Sequence, residues 1–554
     1  MTQSFAMYVG LPGQGMHLHL DALSVLFLGI LLPQVVAGAM AGMRNSVTFW
    51  AFVLGMGLAV AAADAFTLVF GFELMSAASW LLVLRGDQKP ATLYVGVAIF
   101  SAACLIPAVF LPAGPIAFLL IVLGAGAKAG LAPLHFWLPR AHPAPPAGVS
   151  ALMSGGMVKV ALYVIIRYAF VVLAPAAQPW WGGVLVVAGA ASVLIGALRA
   201  MLETELKTVL ACSTVEHVGL IAVGLGIALR GKAMGDGAMT GLGLEAALLC
   251  AVAHGLYKPL LFIGAGEVKH GVGTTSLNWL GGLARGMPKL GLLMIGGAAG
   301  MAALPLGPGF APEFILWHAA IAAAGTGGIV ARIGFTALLA VLGLSAALAL
   351  GAAVRLVGIG FLGRPRTLQA AAAEEARHWP LVGMALLAAL CVPVALLPGL
   401  VLGMMTPVIR LLAPQADAPP LAYAPLSLAV LAGLVAVAAG FIFHRYGVRG
   451  SREVPAWNGG FGKPPPWLPF GDPVTQPSAT GFGEPIARAI GRGLLAPGGG
   501  DLAEAFLLAP LVRLNMRCIR VAERIRRATI RQRLAFIFAA LVAFLLALGL
   551  GEGG

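Results

Sequence analysis

The sequence predicts an all-α polytopic membrane protein, and three observations lead to this fold class. Of the 554 residues, 60% are hydrophobic and only 10% are charged, with a mean hydropathy of +0.95, whereas a soluble protein carries about 25% charged residues. Apolar runs of about 20 residues, long enough to span a bilayer as a helix, recur along the chain. These runs are rich in Gly and Ala, which lets neighbouring membrane helices pack closely.

The apolar runs predict about 14 transmembrane helices when each run is taken as one bilayer span. The clear runs cover residues 20–43, 47–63, 65–84, 90–112, 115–134, 147–174, 182–202, 207–229, 238–266, 289–306, 329–362, 379–400 and 424–444. Two shorter runs lie at 311–325 and 399–413, and a final run covers 534–550.

The basic residues predict the orientation of the chain in the membrane. The net charge of +14 is concentrated in connections between apolar runs and near the C-terminus, a distribution that fits the positive-inside rule better than nucleic-acid binding. Basic residues fall on alternate connections, at Arg44, Arg85, Lys89, Arg140, Arg199 and Lys207. This alternation places these connections in the cytoplasm and the N-terminus outside.

The composition divides the chain into five parts. An N-terminal segment (1–19) precedes the transmembrane core (20–446), and a Gly/Pro-rich, cytoplasmic loop covers 447–500. Residues 501–533 predict an amphipathic helix with a column of arginines beside its apolar face, and 534–554 form a last transmembrane helix. Such a helix lies along the membrane surface or pairs its arginines with acidic groups of a partner subunit, and both interpretations stay open.

The sequence indicates no bound cofactor or metal. The five cysteines, Cys104, Cys212, Cys250, Cys391 and Cys518, are scattered and have neither metal-ligand nor redox spacing. Dinucleotide, phosphate-loop and zinc-protease motifs are absent from the sequence. We therefore predict no catalytic chemistry and no cofactor for this chain.

Ionisable residues within the apolar runs are the candidate functional groups. A charge at the centre of a spanning helix costs at least ~2.5 kcal/mol, so such residues mark ion or proton paths. The main candidates are Glu73, Lys128, Lys159, His254, Lys258 and Arg355, and the possible relay residues are His135, Glu216, His217, Glu245 and Glu313. Their spread over many helices favours a proton path over a metal cage or a voltage sensor.

Several candidates also have plain structural interpretations. Lys159 could extend its amine from a helix end to the surface, His254 could bind a backbone carbonyl, and Glu216 could lie in a loop. His135 and His142 fit a role in proton uptake and simple surface exposure equally well. Prolines and glycines after Lys128 predict an interrupted helix, which membranes tolerate beside a polar cavity, and residues 304–314 predict a second interruption.

Several long motifs resemble the antiporter-like subunits of respiratory complex I and of Mrp-type cation/proton antiporters. They are "GFELMSAASWLLV", "GAGAKAGLAPLHFWLPRAHPAPPAGVSALMSGGMVKVALY", "ELKTVLACSTVEHVGLI", "HGLYKPLLFIGAGEV" and "GGLARGMP". The stretches "LPRAHPAPPAGVSALMSG", "RLVGIGFLGRPR" and "WNGGFGKP" resemble the large membrane subunit of hydrogenase-4 and formate hydrogenlyase complexes most closely. The resemblance covers roughly residues 20–545.

The resemblance implies two inverted five-helix repeats, each with one discontinuous helix. In that pattern Glu73 neighbours the channel lysine, Lys128 lies in the first broken helix, and Lys159 lies in the next helix. His254 and Lys258 correspond to the central histidine–lysine pair, and Arg355 stands where the second broken helix usually carries Lys or Glu. Because an arginine does not deprotonate in proteins, the second half would then either work differently or take its titrating group from elsewhere, such as Glu313.

The function implied is proton translocation in the bacterial cytoplasmic (inner) membrane. The chain would couple redox chemistry in partner subunits of a hydrogenase-4-like or formate hydrogenlyase-like complex to movement of H⁺, or of Na⁺. An alternative is an ion-translocating subunit of an inorganic-carbon uptake or Mrp-type Na⁺/H⁺ system. A third is a structural membrane anchor. The expected partners are other membrane and peripheral subunits and membrane lipid, and no nucleic acid.

Overall fold

The computed structural model describes residues 3–11, 14–420, 423–446 and 477–490. The chain divides into two compact units, Met1–Gly498 and Gly499–Gly554, and every described residue belongs to the first. Three predicted parts lie wholly or mostly outside the described residues: the amphipathic helix at 501–533, the last transmembrane helix and most of the loop at 447–500. The described part of that loop region, 477–490, contains a helix at Ala479–Ile490.

The described residues form one β-hairpin followed by helices. The hairpin strands are β1 (Gln3–Leu11) and β2 (Gln14–Leu20). The first ten helices are α1 (Ala22–Gly38), α2 (Val47–Ala61), α3 (Ala65–Leu84), α4 (Gln88–Phe110), α5 (Pro115–Ala129), α6 (Leu138–Ala141), α7 (Ala147–Leu152), α8 (Val158–Arg167), α9 (Pro179–Leu202) and α10 (Leu206–Met234). The others are α11 (Gly237–Val272), α12 (Leu283–Gly286), α13 (Pro288–Met301), α14 (Phe310–Ala324), α15 (Ile329–Arg355), α16 (Leu368–Ala371), α17 (His378–Leu396), α18 (Pro398–Leu412), α19 (Pro425–Tyr446) and α20 (Ala479–Ile490).

The N-terminal hairpin is a local exception to the all-α prediction. β1 and β2 pair antiparallel from Gln3 opposite Leu20 to Leu11 opposite Gln14. The amide of Ala63, between α2 and α3, donates to the carbonyl of His17 over 2.9 Å. The hairpin thus pairs its own backbone groups and is joined to the connection between α2 and α3.

The helices match the predicted apolar runs closely. Ten helices of the described chain are long and apolar enough to cross a membrane, and four shorter apolar helices accompany them. Short π-helical segments, Met153–Met157 and Tyr168–Val172, extend α7 and α8 into one span. The prediction of a multi-pass helical membrane protein is confirmed.

Three spans form the centre of the bundle. The most apolar window is wholly buried in Ala147–Val172 and in Leu206–Met234, and is 94% buried in Gly237–Val272, whereas it is 39–44% buried in several outer helices. Gly189 and Gly219 let α9 and α10 approach closely, because a Cβ on Gly189 would lie 2.8 Å from the Gly219 carbonyl oxygen. Most of the candidate ionisable residues lie on these central spans and on α5 beside them.

Two spans are interrupted. α5 ends at Ala129 with Gly130 as its C-cap, after which the chain turns through 131–137 before α6 and α7. α13 ends at Met301, and the loop 302–309 leads into α14. Both interruptions fall where the prolines and glycines predict them.

Candidate functional site

At the first interruption, backbone groups without helical partners form hydrogen bonds with side chains of the protein. Gly130 ends α5 in the left-handed conformation at φ +79°, and a Cβ there would lie 2.4 Å from Leu138 Cδ1. The indole nitrogen of Trp137 donates to the Ala127 carbonyl over 2.8 Å, and the Ala132 amide donates to the Ser192 hydroxyl over 2.8 Å. These bonds let a broken helix persist in the apolar interior, where unpaired backbone groups are costly.

Lys128 lies in the last turn of α5 and is completely buried. Its Nζ donates to the hydroxyl of Tyr94 on α4 over 2.6 Å and lies 4.3 Å from the centre of the Tyr94 ring. Glu73 on α3 is half-buried and interacts electrostatically with Lys128. The structure therefore brings together the acid and the lysine that the sequence singles out, with a tyrosine between helices that the sequence analysis did not select.

A second cluster lies at the centre of the bundle. Lys159 on α8 is completely buried, and its Nζ contacts the Ser154 carbonyl oxygen at 3.0 Å and Nδ1 of His254 on α11. The rings of His254 and of His217 on α10 have centroids 5.1 Å apart, and Tyr257 lies 5.7 Å from each. Lys159 thus does not reach the surface, and one proton can be shared between its amine and His254.

The protonation pattern of His217 follows from its hydrogen bond. Nδ1 of His217 lies 2.7 Å from the Ser213 carbonyl oxygen, which accepts only, so Nδ1 carries a proton. A neutral His217 then presents Nε2 as an acceptor, and this nitrogen is buried without a hydrogen-bond partner. His217 is therefore able to accept a proton inside the cluster.

Glu216, Lys258 and Glu313 extend this cluster toward the second half of the protein. Oε2 of Glu216 lies 3.3 Å from the Ser213 hydroxyl and 3.9 Å from His217 Nδ1, and Glu216 is buried on α10 rather than in a loop. Lys258 is completely buried and donates to the Leu210 carbonyl over 3.3 Å. Glu313 lies in the first turn of α14, after the second interruption, and interacts electrostatically with Glu216.

Arg355 lies in an unbroken helix rather than beside an interruption. α15 ends at Arg355 and continues directly into the π-helical segment Leu356–Phe361. The buried guanidinium donates to the Glu203 carbonyl over 2.5 Å and to the Ala200 carbonyl over 3.5 Å. These carbonyls lie at the C-terminal end of α9, where a cation is favourable.

The remaining predicted residues differ in their positions. His135 is buried at the first interruption. Glu245 is partly exposed on α11, nine residues before His254, which corresponds to roughly 13 Å along a helix. His142 is completely buried, with its ring 5.6 Å from that of Trp137, and interacts electrostatically with Lys159 and His254. Surface exposure is therefore wrong for both His135 and His142.

The structure adds a partly buried ion pair at the start of α1. Asp21 caps α1, and Arg167 at the end of α8 donates to both of its carboxylate oxygens, over 2.5 and 2.8 Å. Burial of Asp21 favours its neutral form, but the hydrogen bonds from Arg167 and from the Ser24 amide outweigh this and hold the pKa of Asp21 below its usual value. This pair joins α1 to α8, the helix that carries Lys159.

Comparisons with known proteins identify relatives of this chain. Residues 111–340 match the family described as NADH:quinone oxidoreductase/Mrp antiporter, transmembrane. Hydrogenase-4 component B of Escherichia coli (strain K12) is 36% identical over 371 residues, which cover 62% of this chain and 55% of that relative. An uncharacterized protein of Mycobacterium tuberculosis is 36% identical over 440 residues, covering 71% of this chain and 67% of the relative.

Solved structures share the fold. The membrane-bound sulfane sulfur reductase, an archaeal respiratory membrane complex, contains a chain with a TM-score of 0.75 and 19% identity that covers 98% of this chain and 92% of its own length. Respiratory complex I from Thermus thermophilus contains a chain with a TM-score of 0.63 and 23% identity, covering 75% of this chain and 90% of its own. These similarities confirm the predicted fold class.

Proposed function

This chain belongs to the NADH:quinone oxidoreductase/Mrp antiporter family of membrane subunits, and from that premise we propose that it translocates protons across the bacterial inner membrane as one subunit of a larger complex. The observation that supports this most is the set of ionisable groups inside the bundle, which form two clusters: half-buried Glu73 with buried Lys128, and buried Lys159 with His254, His217 and Glu216. Buried charges are expensive in a membrane and are retained where they serve a path.

Each half of the path has its own proton carrier. In the first half Lys128 carries the proton at the interruption after α5, and the charge of Glu73 favours its protonated form. In the centre the proton passes between Lys159 and His254, and His217 receives it on Nε2. In the second half Lys258, Glu216 and Glu313 complete the path, while Arg355 serves as a fixed cation that holds α15 to the end of α9.

In this proposal, redox chemistry takes place in partner subunits. The resemblance to hydrogenase-4 and formate hydrogenlyase subunits favours hydrogen- or formate-linked partners, and the same lysines would serve an Mrp-type ion transporter.

Ion flux through the purified complex in sealed vesicles tests the function. We expect the wild-type complex to acidify or alkalise the vesicle interior when it turns over, and Lys128→Met to remove this signal while the complex stays assembled. Sodium uptake that persists after a protonophore is added would identify Na⁺ transport instead. Unchanged proton flux in an assembled Lys128→Met complex would support the structural anchor.

A further inference from the structure

Tyr94 and Ser79 form a hydrogen-bonded chain with Lys128, and the proposed function assigns no role to either hydroxyl group. Tyr94 on α4 is completely buried, and Ser79 lies buried on α3. The two hydroxyl oxygens are 2.6 Å apart, and the Tyr94 hydroxyl is also the acceptor for Lys128 Nζ. Three helices, α3, α4 and α5, therefore meet at one tyrosine oxygen.

The direction of each bond follows from the number of protons available. Ser79 donates its single hydroxyl proton to the Met75 carbonyl over 2.7 Å, with the Ser76 carbonyl at 3.0 Å. The single Tyr94 hydroxyl proton has two acceptors within reach, the Ser79 oxygen at 2.6 Å and the Met157 sulfur at 3.3 Å. A thioether sulfur is the weaker acceptor, so the proton goes to Ser79, while the Tyr94 oxygen accepts from Lys128, since an ammonium group only donates. With Lys128 charged, both hydroxyl groups of the chain have a donor and an acceptor as partners.

The same chain also fits the neutral amine. A neutral Lys128 has a lone pair that needs a donor, and the Tyr94 hydroxyl supplies it when its O–H bond rotates toward Nζ. The Ser79 hydroxyl then rotates from the Met75 carbonyl to donate to Tyr94. Two O–H rotations reverse the chain, and no heavy atom has to move.

Packing against Trp137 holds the ring of Tyr94 in place. Its centroid lies 5.0 Å from that of Trp137 at an angle of 47°. Trp137 is in turn fixed by its bond to Ala127, the residue before Lys128. The tyrosine oxygen therefore stays in position while its O–H direction is free to change.

We propose that Tyr94, with Ser79 behind it, is a positioning residue that stabilises Lys128 in both its charged and its neutral form by reversing the direction of this hydroxyl chain. This inference rests on the proposed role of Lys128 as a proton carrier. Glu73 on α3 is the charged group that interacts electrostatically with Lys128, and Tyr94 on α4 is the titratable group that contacts Lys128. Lys159 on α8 belongs to the neighbouring cluster.

The variants Tyr94→Phe and Ser79→Ala test the chain in the assembled complex. Tyr94→Phe keeps the ring and removes the hydroxyl, and we expect proton flux to fall about tenfold, as for loss of one net hydrogen bond of ordinary strength in the rate-limiting state. Because a hydrogen bond from a charged donor is about twice as strong as a neutral one, the pH profile of the remaining flux should move about 1 pH unit toward lower pH. Ser79→Ala should act in the same direction with a smaller effect.

Ser101→Ala is the matched control. The Ser101 hydroxyl on α4 is buried and donates to the Gly124 carbonyl on α5 over 2.7 Å. Its loss weakens the same helix interface without touching Lys128, so flux and its pH profile should stay as in the wild type.

Infrared spectroscopy adds a readout that a merely structural tyrosine would not change. The C–O band of a tyrosine differs when its hydroxyl donates to an amine and when it accepts from an ammonium group. We expect a pH-dependent tyrosine band in the wild-type complex that is lost in Tyr94→Phe and in Lys128→Met. If Tyr94→Phe does not assemble, Ser79→Ala is used for the flux measurement and Lys128→Met for the spectroscopic measurement.

The outcomes separate this inference from the proposed function. Loss of flux in Lys128→Met with wild-type flux and pH profile in Tyr94→Phe and Ser79→Ala would overturn the hydroxyl chain alone. A tyrosine band that Lys128→Met leaves unchanged would overturn it as well. Full flux in Lys128→Met would overturn the proposed function, and the inference with it.

Discussion

Replacement of Lys159 by methionine removes the amine at the centre of the proposed path and keeps most of the side-chain volume. In the structure this amine has two polar contacts, the Ser154 carbonyl oxygen at 3.0 Å and Nδ1 of His254. Methionine fills the apolar space but neither accepts nor donates a proton there. We therefore expect proton flux to fall sharply in Lys159→Met while the complex still assembles.

The size of the effect follows from these contacts. A hydrogen bond to a charged group contributes about 1.5–3 kcal/mol, so the two contacts together stabilise a proton at this point by about 3 kcal/mol or more. Since each 1.36 kcal/mol in a barrier changes a rate tenfold, the expected loss of flux is about 100-fold.

Lys232→Met is the matched control for this experiment. Lys232 is a partly buried lysine on α10 that also has two polar contacts, with the carbonyl oxygens of Phe170 and Leu412 at 2.7 Å each. Its removal should lower the thermal stability of the complex without changing proton flux per assembled complex.

Flux is measured with a pH-sensitive dye in vesicles that contain equal amounts of assembled complex. Comparable losses of flux in both lysine variants would show that the effect comes from weakened packing. Wild-type flux in Lys159→Met would refute the assignment of Lys159 to the path.

Three further predictions concern the residues that support the path. Arg355→Met should lower the thermal midpoint of the complex, because it removes a charged hydrogen bond of about 1.5–3 kcal/mol. Arg355→Lys should keep proton flux within about twofold of wild type, as expected for a fixed cation near a helix C-terminus, and a large shift in its pH profile would contradict a fixed role. Asp21→Asn should destabilise the protein by about 1–2 kcal/mol at pH 7. Because the folded pKa of Asp21 is lowered, the difference from wild type should be complete above the unfolded pKa of about 3.9 and should be lost as the pH falls through the lower folded pKa. A difference that stays constant as the pH is lowered until the wild type unfolds would contradict this. Gly130→Ala should lower the thermal midpoint more than Gly235→Ala. Both glycines have a positive φ, but only a Cβ at Gly130 would meet another atom within 4 Å. An equal decrease of the thermal midpoint in both variants would contradict the clash with Leu138.

The spans and the candidate charges could be predicted because each has a strong local signal. An apolar run of spanning length has few alternatives to a membrane helix, and a lysine such as Lys128 or Lys159 within one is conspicuous. The interruption after α5 was predictable from the prolines and glycines that follow Lys128. The final apolar run and the arginine-rich helix stay predictions, since they lie outside the described residues.

The partners of these charges could not be predicted, because they depend on how distant helices pack. Tyr94 is one hydroxyl in an apolar run, and nothing near it in the sequence indicates that Lys128, 34 residues later, donates to it. His142 lies in a proline-rich stretch that reads as a surface connection, and only the fold buries its ring. The carbonyls that bind Arg355 lie at the C-terminal end of α9, more than 150 residues earlier in the chain.

The number of protons moved per electron transferred through the intact complex tests the central claim most directly. We expect Lys128→Met to lower this ratio while electron transfer in the partner subunits continues. An unchanged ratio in the variant, with normal assembly, would contradict proton translocation through Lys128.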